Sequence, residues 1–154
     1  MPAKKIKEFL DKNKIKYISI KHSPAFTSLE VAESTHISGK NFAKTVIIKI
    51  DTKLAMAVLP ANFLVDVDLI KEVVKADFVE LAAEREFENL FPGCEIGAMP
   101  PFGNLYNMEV YVADVLTRDE EIAFNAGSHT EVIKMVYKDF ERLVKPKVVQ
   151  LSLK

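Results

Sequence analysis

The chain has 154 residues, 49% hydrophobic and 28% charged, the make-up of a folded globular domain rather than a disordered or fibrous chain. Lysine plus arginine number 21 against 22 acids, so the formal charge is −1 and no polycation coats nucleic acid here by total charge. One cysteine, Cys94, excludes an internal disulfide and a multi-cysteine metal site, and fits a reducing compartment.

The expectation from length is a single domain over residues 1–154. No signal-like apolar run follows Met1, and no stretch approaches the roughly 18 apolar residues that cross a bilayer. A cytoplasmic protein with no membrane partner is expected.

The predicted elements begin with a helix over residues 3–13, where Ile6, Phe9 and Leu10 recur at helical spacing. Residues 17–20 alternate like a strand. Thr27 and Glu30 form a capping box that opens a short helix ending near Gly39. Residues 43–50 (AKTVIIKI) are β-branched and predict a strand, followed by a turn at 51–53 and a returning strand at 54–59. An amphipathic helix over 66–75 turns Val67, Ile70, Val73 and Val74 inward. A short strand at 78–81 precedes a helix over 83–91, stopped by Pro92-Gly93. After a Gly/Pro-rich loop at 97–103, strands are predicted at 108–114, 121–126 and 131–136. A helix over 137–144 and a strand over 148–153 close the chain. Hairpins dominate, so the fold class is α/β in the mixed α+β sense, with a mostly antiparallel mixed sheet and helices packed outside.

Charge is unevenly spread. Residues 1–21 hold seven lysines against two acids, and residues 66–95 hold nine acids against three bases. These local balances of +5 and −6 are either two solvated faces or a molecule that attracts an anion at one end.

Few residues have the spacing of catalysts. Cys94 lies beside Glu95, a carboxylate that opposes thiolate formation, so it reads as a small half-buried residue. His22, His36 and His129 lie too far apart in sequence for a local metal site, and no metal or cofactor is expected. Lys44 is more informative. Alternation puts it on one face with Val46 and Ile48, with Thr45 and Ile47 on the other. A cation there either snorkels to solvent or is aimed into a cleft. The loop Gly97-Ala98-Met99-Pro100-Pro101-Phe102-Gly103 is either a rigid turn or a nest of N–H groups from Gly97, Ala98, Met99 or Phe102. The segment from Asn125 to Glu131, with Gly127, Ser128 and His129, gathers small and polar groups; its plain reading is a hairpin turn with His129 exposed.

In order along the chain, these segments resemble the YbaK/EbsC family, free-standing relatives of the editing domain inserted in some bacterial prolyl-tRNA synthetases. The resemblance is carried by His22-Ser-Pro-Ala-Phe-Thr27, Ala43-Lys-Thr-Val-Ile-Ile48, Ala57-Val-Leu-Pro-Ala61, Gly97-Ala-Met-Pro-Pro101 and Ala126-Gly127. It implies a YbaK-like curved sheet of six or seven strands surrounded by helices. It also implies an ester hydrolase that removes a wrong amino acid from the 3′ end of tRNA. On this resemblance Lys44 holds the terminal phosphate or ribose, and the 97–101 loop meets the carbonyl and its oxyanion. The attacking water is assisted by a ribose hydroxyl, and His129 orients water or substrate. His22, Phe26, Thr45, Met99, Pro101, Phe102, Gly103, Gly127 and Ser128 become candidate substrate contacts. The implied partner is the acceptor end of a mischarged tRNA, with an aminoacyl-tRNA synthetase as a further candidate. Ile20 replaces a tyrosine that some members carry, and Val132 an acid, so amino-acid specificity does not transfer. A non-catalytic binding module and a small-molecule esterase are the alternative functions.

Overall fold

The computed structural model describes residues 3–23 and 27–152. Helix α1 spans Lys4–Lys12 and buries Ile6 and Leu10. Strand β1, Tyr17–Lys21, follows. The capping box forms as expected: the Glu30 N–H donates to Thr27 Oγ1, and the Thr27 N–H donates to the Glu30 carboxylate. It opens α2, Ser28–Ser34. That helix stops short of Gly39 because the Thr35 hydroxyl turns back onto the Val31 carbonyl and His36 enters the left-handed region at φ 59°.

Strands β2, Ala43–Ile50, and β3, Lys53–Pro60, make the expected hairpin in full register. Helix α3, Val67–Val74, is capped by Asp66, whose carboxylate accepts from the Leu69 N–H. Ile70 is buried, but Val73 is exposed, contrary to its expected inward position. Strand β4 is Val79–Leu81. The helix expected over 83–91 shrinks to α4, Glu84–Phe87. Phe91 is instead drawn into the core beside Phe87 and Tyr106, with ring centroids 6.3 and 4.6 Å away, and Pro92 disfavours helix at that residue. Short 3₁₀ turns at Gly103–Leu105 and Asp114–Arg118, not foreseen, flank β5, Glu109–Ala113. Strands β6, Glu121–Asn125, and β7, Glu131–Val136, helix α5, Tyr137–Val144, and a short β8, Lys147–Val149, complete the order.

The strands form two sheets, not the single sheet of six or seven that was expected. One runs β1-β7-β6 and the other β4-β2-β3-β5-β8. Pairing is mostly antiparallel, with β3–β5 and β5–β8 parallel. A parallel bridge between Phe42 and Ala123 joins the sheets. The larger sheet is covered on both faces, which explains the nearly unbroken apolar run of β3. Ile47, Met56, Val58 and Val112 face one core with α1 and α5; Ile48, Ala57, Leu59 and Tyr111 face another under α3. A third core, with Val31, Ala32, Phe42, Ala123 and Val132, lies beneath α2. Among the described residues no helix is long and apolar enough to cross a membrane.

A buried carboxylate ties α1 to the smaller sheet. Glu131 on β7 is paired with Lys7 of α1 and accepts from the Ser19 hydroxyl of β1. Burial pushes its carboxyl up, but Lys7 and Ser19 outweigh that and hold it below the usual carboxylate range. Replacing Lys7 by Met leaves this charge uncompensated and is expected to cost about 3 kcal/mol near pH 7 in urea unfolding. The gap is complete above the ordinary Glu value of about 4.3 and closes as pH falls through the lower folded value, because protonation removes the charge that needed Lys7. A gap that stays constant from pH 7 to pH 3 would contradict this account.

Candidate functional site

Lys44 enters on β2 opposite Leu59 of β3. Its strand neighbours on the same face, Val46 and Ile48, belong to the core under α3. The side chain is therefore half-buried on an apolar surface. Nζ donates to the Ala61 carbonyl at 3.3 Å, and among the described residues no carboxylate pairs with it. Burial pushes the ammonium below the ordinary lysine range. Such a cation has lost hydration without gaining a counter-ion, which is the electrostatic condition for receiving an anionic group.

The Phe42–Ala123 bridge aligns β2 with β6. Both strands leave it in the same direction, two residues on to Lys44 and two residues on to Asn125. Strand alternation keeps these two on the face of Phe42 and Ala123. Asn125 lies opposite Val132, and the His22 N–H donates to the Thr130 carbonyl at 2.9 Å. Lys44, Asn125 and His22 thus lie on one face, with β7 between Asn125 and His22.

Beyond Asn125 the chain turns, and this turn holds the 97–101 loop. Glu95 donates its N–H to the Gly127 carbonyl at 2.8 Å, and Gly127 donates its N–H to the Ala98 carbonyl at 2.9 Å. The Glu95 carboxylate then accepts from His129 twice, from Nδ1 at 2.7 Å and from the backbone N–H at 3.4 Å. Gly97 and Gly127 sit at φ +88° and +99°, where a side chain is strained. A Cβ on Gly97 would come within 3.5 Å of His129 Nε2, so the bare backbone of Gly97 faces the imidazole.

His129 is buried, not exposed at a hairpin tip. Ser128 is buried too, its hydroxyl 3.2 Å from that of Thr130. Sequence reasoning missed Glu95, whose partner is 34 residues away. Its side chain turns to His129 and not to Cys94. Burial is what pushes the Cys94 thiol up, partly offset by the Tyr106 hydroxyl and Lys5. Other candidates are relocated. Thr45 lies on the face opposite Lys44, beside Ala43 and Ile47. Phe102 is fully buried against Phe9, Phe124 and Phe140, with centroids 5.4 to 6.0 Å away, and packs the core instead of lining a pocket. Gly103 is also a core position, because a Cβ there would sit 2.3 Å from the Met108 carbonyl oxygen. Pro101 is buried. Met99 is buried and its sulfur accepts from the Gly97 N–H at 3.2 Å, while the Ala98 N–H is already spent on the Glu95 carbonyl. Among the described residues the Met99 N–H makes no hydrogen bond. Phe26 lies outside the described residues. Two clefts of about 350 and 870 Å³ lie elsewhere, one around Ser38, Asn41 and Lys134, the other around Lys53, Tyr106 and Tyr111.

A family model for an aminoacyl-tRNA editing domain matches residues 22–143. The chain is 32% identical over 96 residues to a multifunctional Ser/Thr-tRNA deacylase, ProXp-y, of Escherichia coli; the match covers 61% of this chain and 56% of that protein. It is 31% identical over 85 residues to a proline–tRNA ligase of Bacillus mycoides, covering 55% of this chain and 15% of the ligase. The chain thus spans about half of the one relative and a small part of the other. A solved structure of a candidate trans-editing enzyme for prolyl tRNA synthetase superposes with a TM-score of 0.83 at 17% identity, over 99% of this chain and 98% of that one. A hypothetical protein of known structure gives 0.85 at 19% identity, over 96% and 99%. At such identities the likeness is one of fold.

The unpaired, half-buried charge of Lys44 is a cost to the folded state. Lys44→Met is expected to raise stability by about 1 kcal/mol in denaturant unfolding at pH 7. The gain is complete below the depressed folded value and fades as pH rises from there to the ordinary lysine value, above which both states are neutral. A loss of stability on this substitution would count against an uncompensated cation.

Proposed function

The chain belongs to the aminoacyl-tRNA editing domain family, and we propose that it hydrolyses the ester joining a mismatched amino acid to the 3′ end of a tRNA, acting in trans. The observation that carries the reading is Lys44, a half-buried cation with no carboxylate partner among the described residues. Its ammonium holds the terminal phosphate or ribose and so fixes the ester against the turn at 126–130. A water adds to the carbonyl carbon, the bond from that carbon to the ribose oxygen breaks, and the ribose oxygen takes up the proton. The products are a free amino acid and a tRNA with its terminal hydroxyls restored. Charge that develops on the carbonyl oxygen is met by loop N–H groups. Met99 supplies a donor, and Gly97 a second once its weak contact to sulfur is exchanged. His129, steadied by Glu95, orients the water or the ester.

Editing of this kind compensates for a limit of binding. One methylene is worth only about 1–3 kcal/mol in an apolar pocket, so a synthetase admits some wrong amino acids. The acceptor stem of the same tRNA is the natural partner for the N-terminal lysines. Lys7 is committed to Glu131 and Lys4 to Glu8, whereas Lys12, Lys14, Lys16 and Lys21 are exposed and make no ion pair among the described residues.

Incubation with a panel of mischarged tRNAs is expected to reveal at least one ester lost faster than in buffer. Lys44→Ala should lower kcat/KM on it about 100-fold. No cleavage of any member, or an undiminished rate in the variant, would refute the mechanism. The Michaelis constant should rise modestly with ionic strength, since few phosphates are contacted. A value indifferent to salt would remove the lysines from the tRNA interface.

A further inference from the structure

We propose that Asn125, with His22 on the same sheet face across β7, forms the subsite for the α-amino group of an aminoacyl ester; the inference rests on the hydrolase reading and deepens it. Asn125 is 7% exposed, and its Oδ1 is buried without a hydrogen-bond partner. His22 Nε2 is likewise buried and unpartnered. His22 Nδ1 lies 2.7 Å from the Ser23 carbonyl oxygen, which can only accept, so Nδ1 carries the proton and Nε2 of the neutral ring is an acceptor. Both orphan atoms are therefore acceptors.

Their placement is shared. Asn125 opposes Val132, Ile20 opposes Val132 from the other side, and His22 continues β1 by two residues on the face of Ile20. Lys44 stands on that same face across the Phe42–Ala123 bridge. One of its three Nζ donors goes to the Ala61 carbonyl, and an ammonium offers a ligand no acceptor. Two buried acceptors without donors are costly in an empty site and favour a ligand that brings N–H groups. Within an aminoacyl ester, the α-amino group is the donor attached to the acyl carbon skeleton. The Lys44 charge favours its neutral form, which still donates two N–H bonds. The site would then reject acyl groups that lack a free amine, because binding them leaves the acceptors unpaired.

The test uses adenosines carrying an alanyl, seryl or threonyl group through a stable 3′-amide, and matching deamino probes such as the propionyl amide. Wild-type protein is expected to bind an amine-bearing probe at least about 10-fold more tightly than its deamino partner by calorimetry. The Asn125 side-chain amide signal should shift in NMR spectra on binding. Asn125→Leu should abolish the preference, and Asn125→Asp, which keeps an acceptor oxygen, should retain it. If Asn125→Leu does not fold, the wild-type comparison and the Asp variant decide. Equal affinities, showing that water satisfies the acceptors, would overturn the proposal. So would a preference that survives in Asn125→Leu, or no binding of any probe. A wild-type protein that prefers the amine yet cleaves no mischarged tRNA would refute the hydrolase reading and leave this subsite standing.

Discussion

Residues 94–99 form neither helix nor strand, and hydrogen bonds to the turn at 126–130 tie them to the end of β6. The Glu95 N–H and the Ala98 carbonyl are both satisfied by Gly127, and the Glu95 carboxylate closes the contact on His129. At the buried end of the loop the Ala98 carbonyl could not be left unpaired without losing about 1–3 kcal/mol. Loop and turn are thus one unit made from two distant parts of the chain. The left-handed conformations of Gly97 and Gly127 are conditions for that docking. The turn in turn begins at Asn125, so the orientation of the loop and the end of β6 are set together.

The opposite side of the site is built on different physics. Strand β2 is held on both sides, by β3 and β4, and its residues alternate between two apolar cores. A lysine in such a strand is expensive to keep. The stem of Lys44 packs along apolar neighbours while its ammonium finds a single carbonyl. Stability alone would favour a hydrophobe at this position. A group that weakens the folded state at one point of an otherwise well-packed strand is characteristic of a site selected for binding or reaction.

Local chemistry was legible in the sequence, and distant pairing was not. The capping box of Thr27 and Glu30 is a three-residue pattern, and it formed as read. The alternation of AKTVIIKI placed Lys44 correctly with Val46 and Ile48. Periodicity failed where tertiary packing overrode it. The helix expected through Phe91 gave way because that ring is worth more in the core than in another helical turn. The strands fall into two sheets linked by a bridge at Phe42, and no period announces where that link falls. Glu95 is one carboxylate among nine in an acidic stretch, and nothing local marks it as the partner of His129. Phe102 and Gly103 stood in a recognisable loop motif, but burial assigns them to packing.

Strand β1 is the outer strand of its sheet, paired only with β7 among the described residues. Its far side pairs with no other strand among the described residues, and Ile18 of β1 is 55% exposed. An open edge of this kind is a template for another strand, and flanking lysines are a common guard against self-association. Lys16 and Lys21 bracket β1 at its two ends. Their charge therefore has a duty that needs no nucleic acid, since two copies meeting edge to edge would bring like charges together. Neutralising either lysine would therefore remove a barrier to edge-to-edge aggregation, so the solubility of the chain is tied to these two side chains.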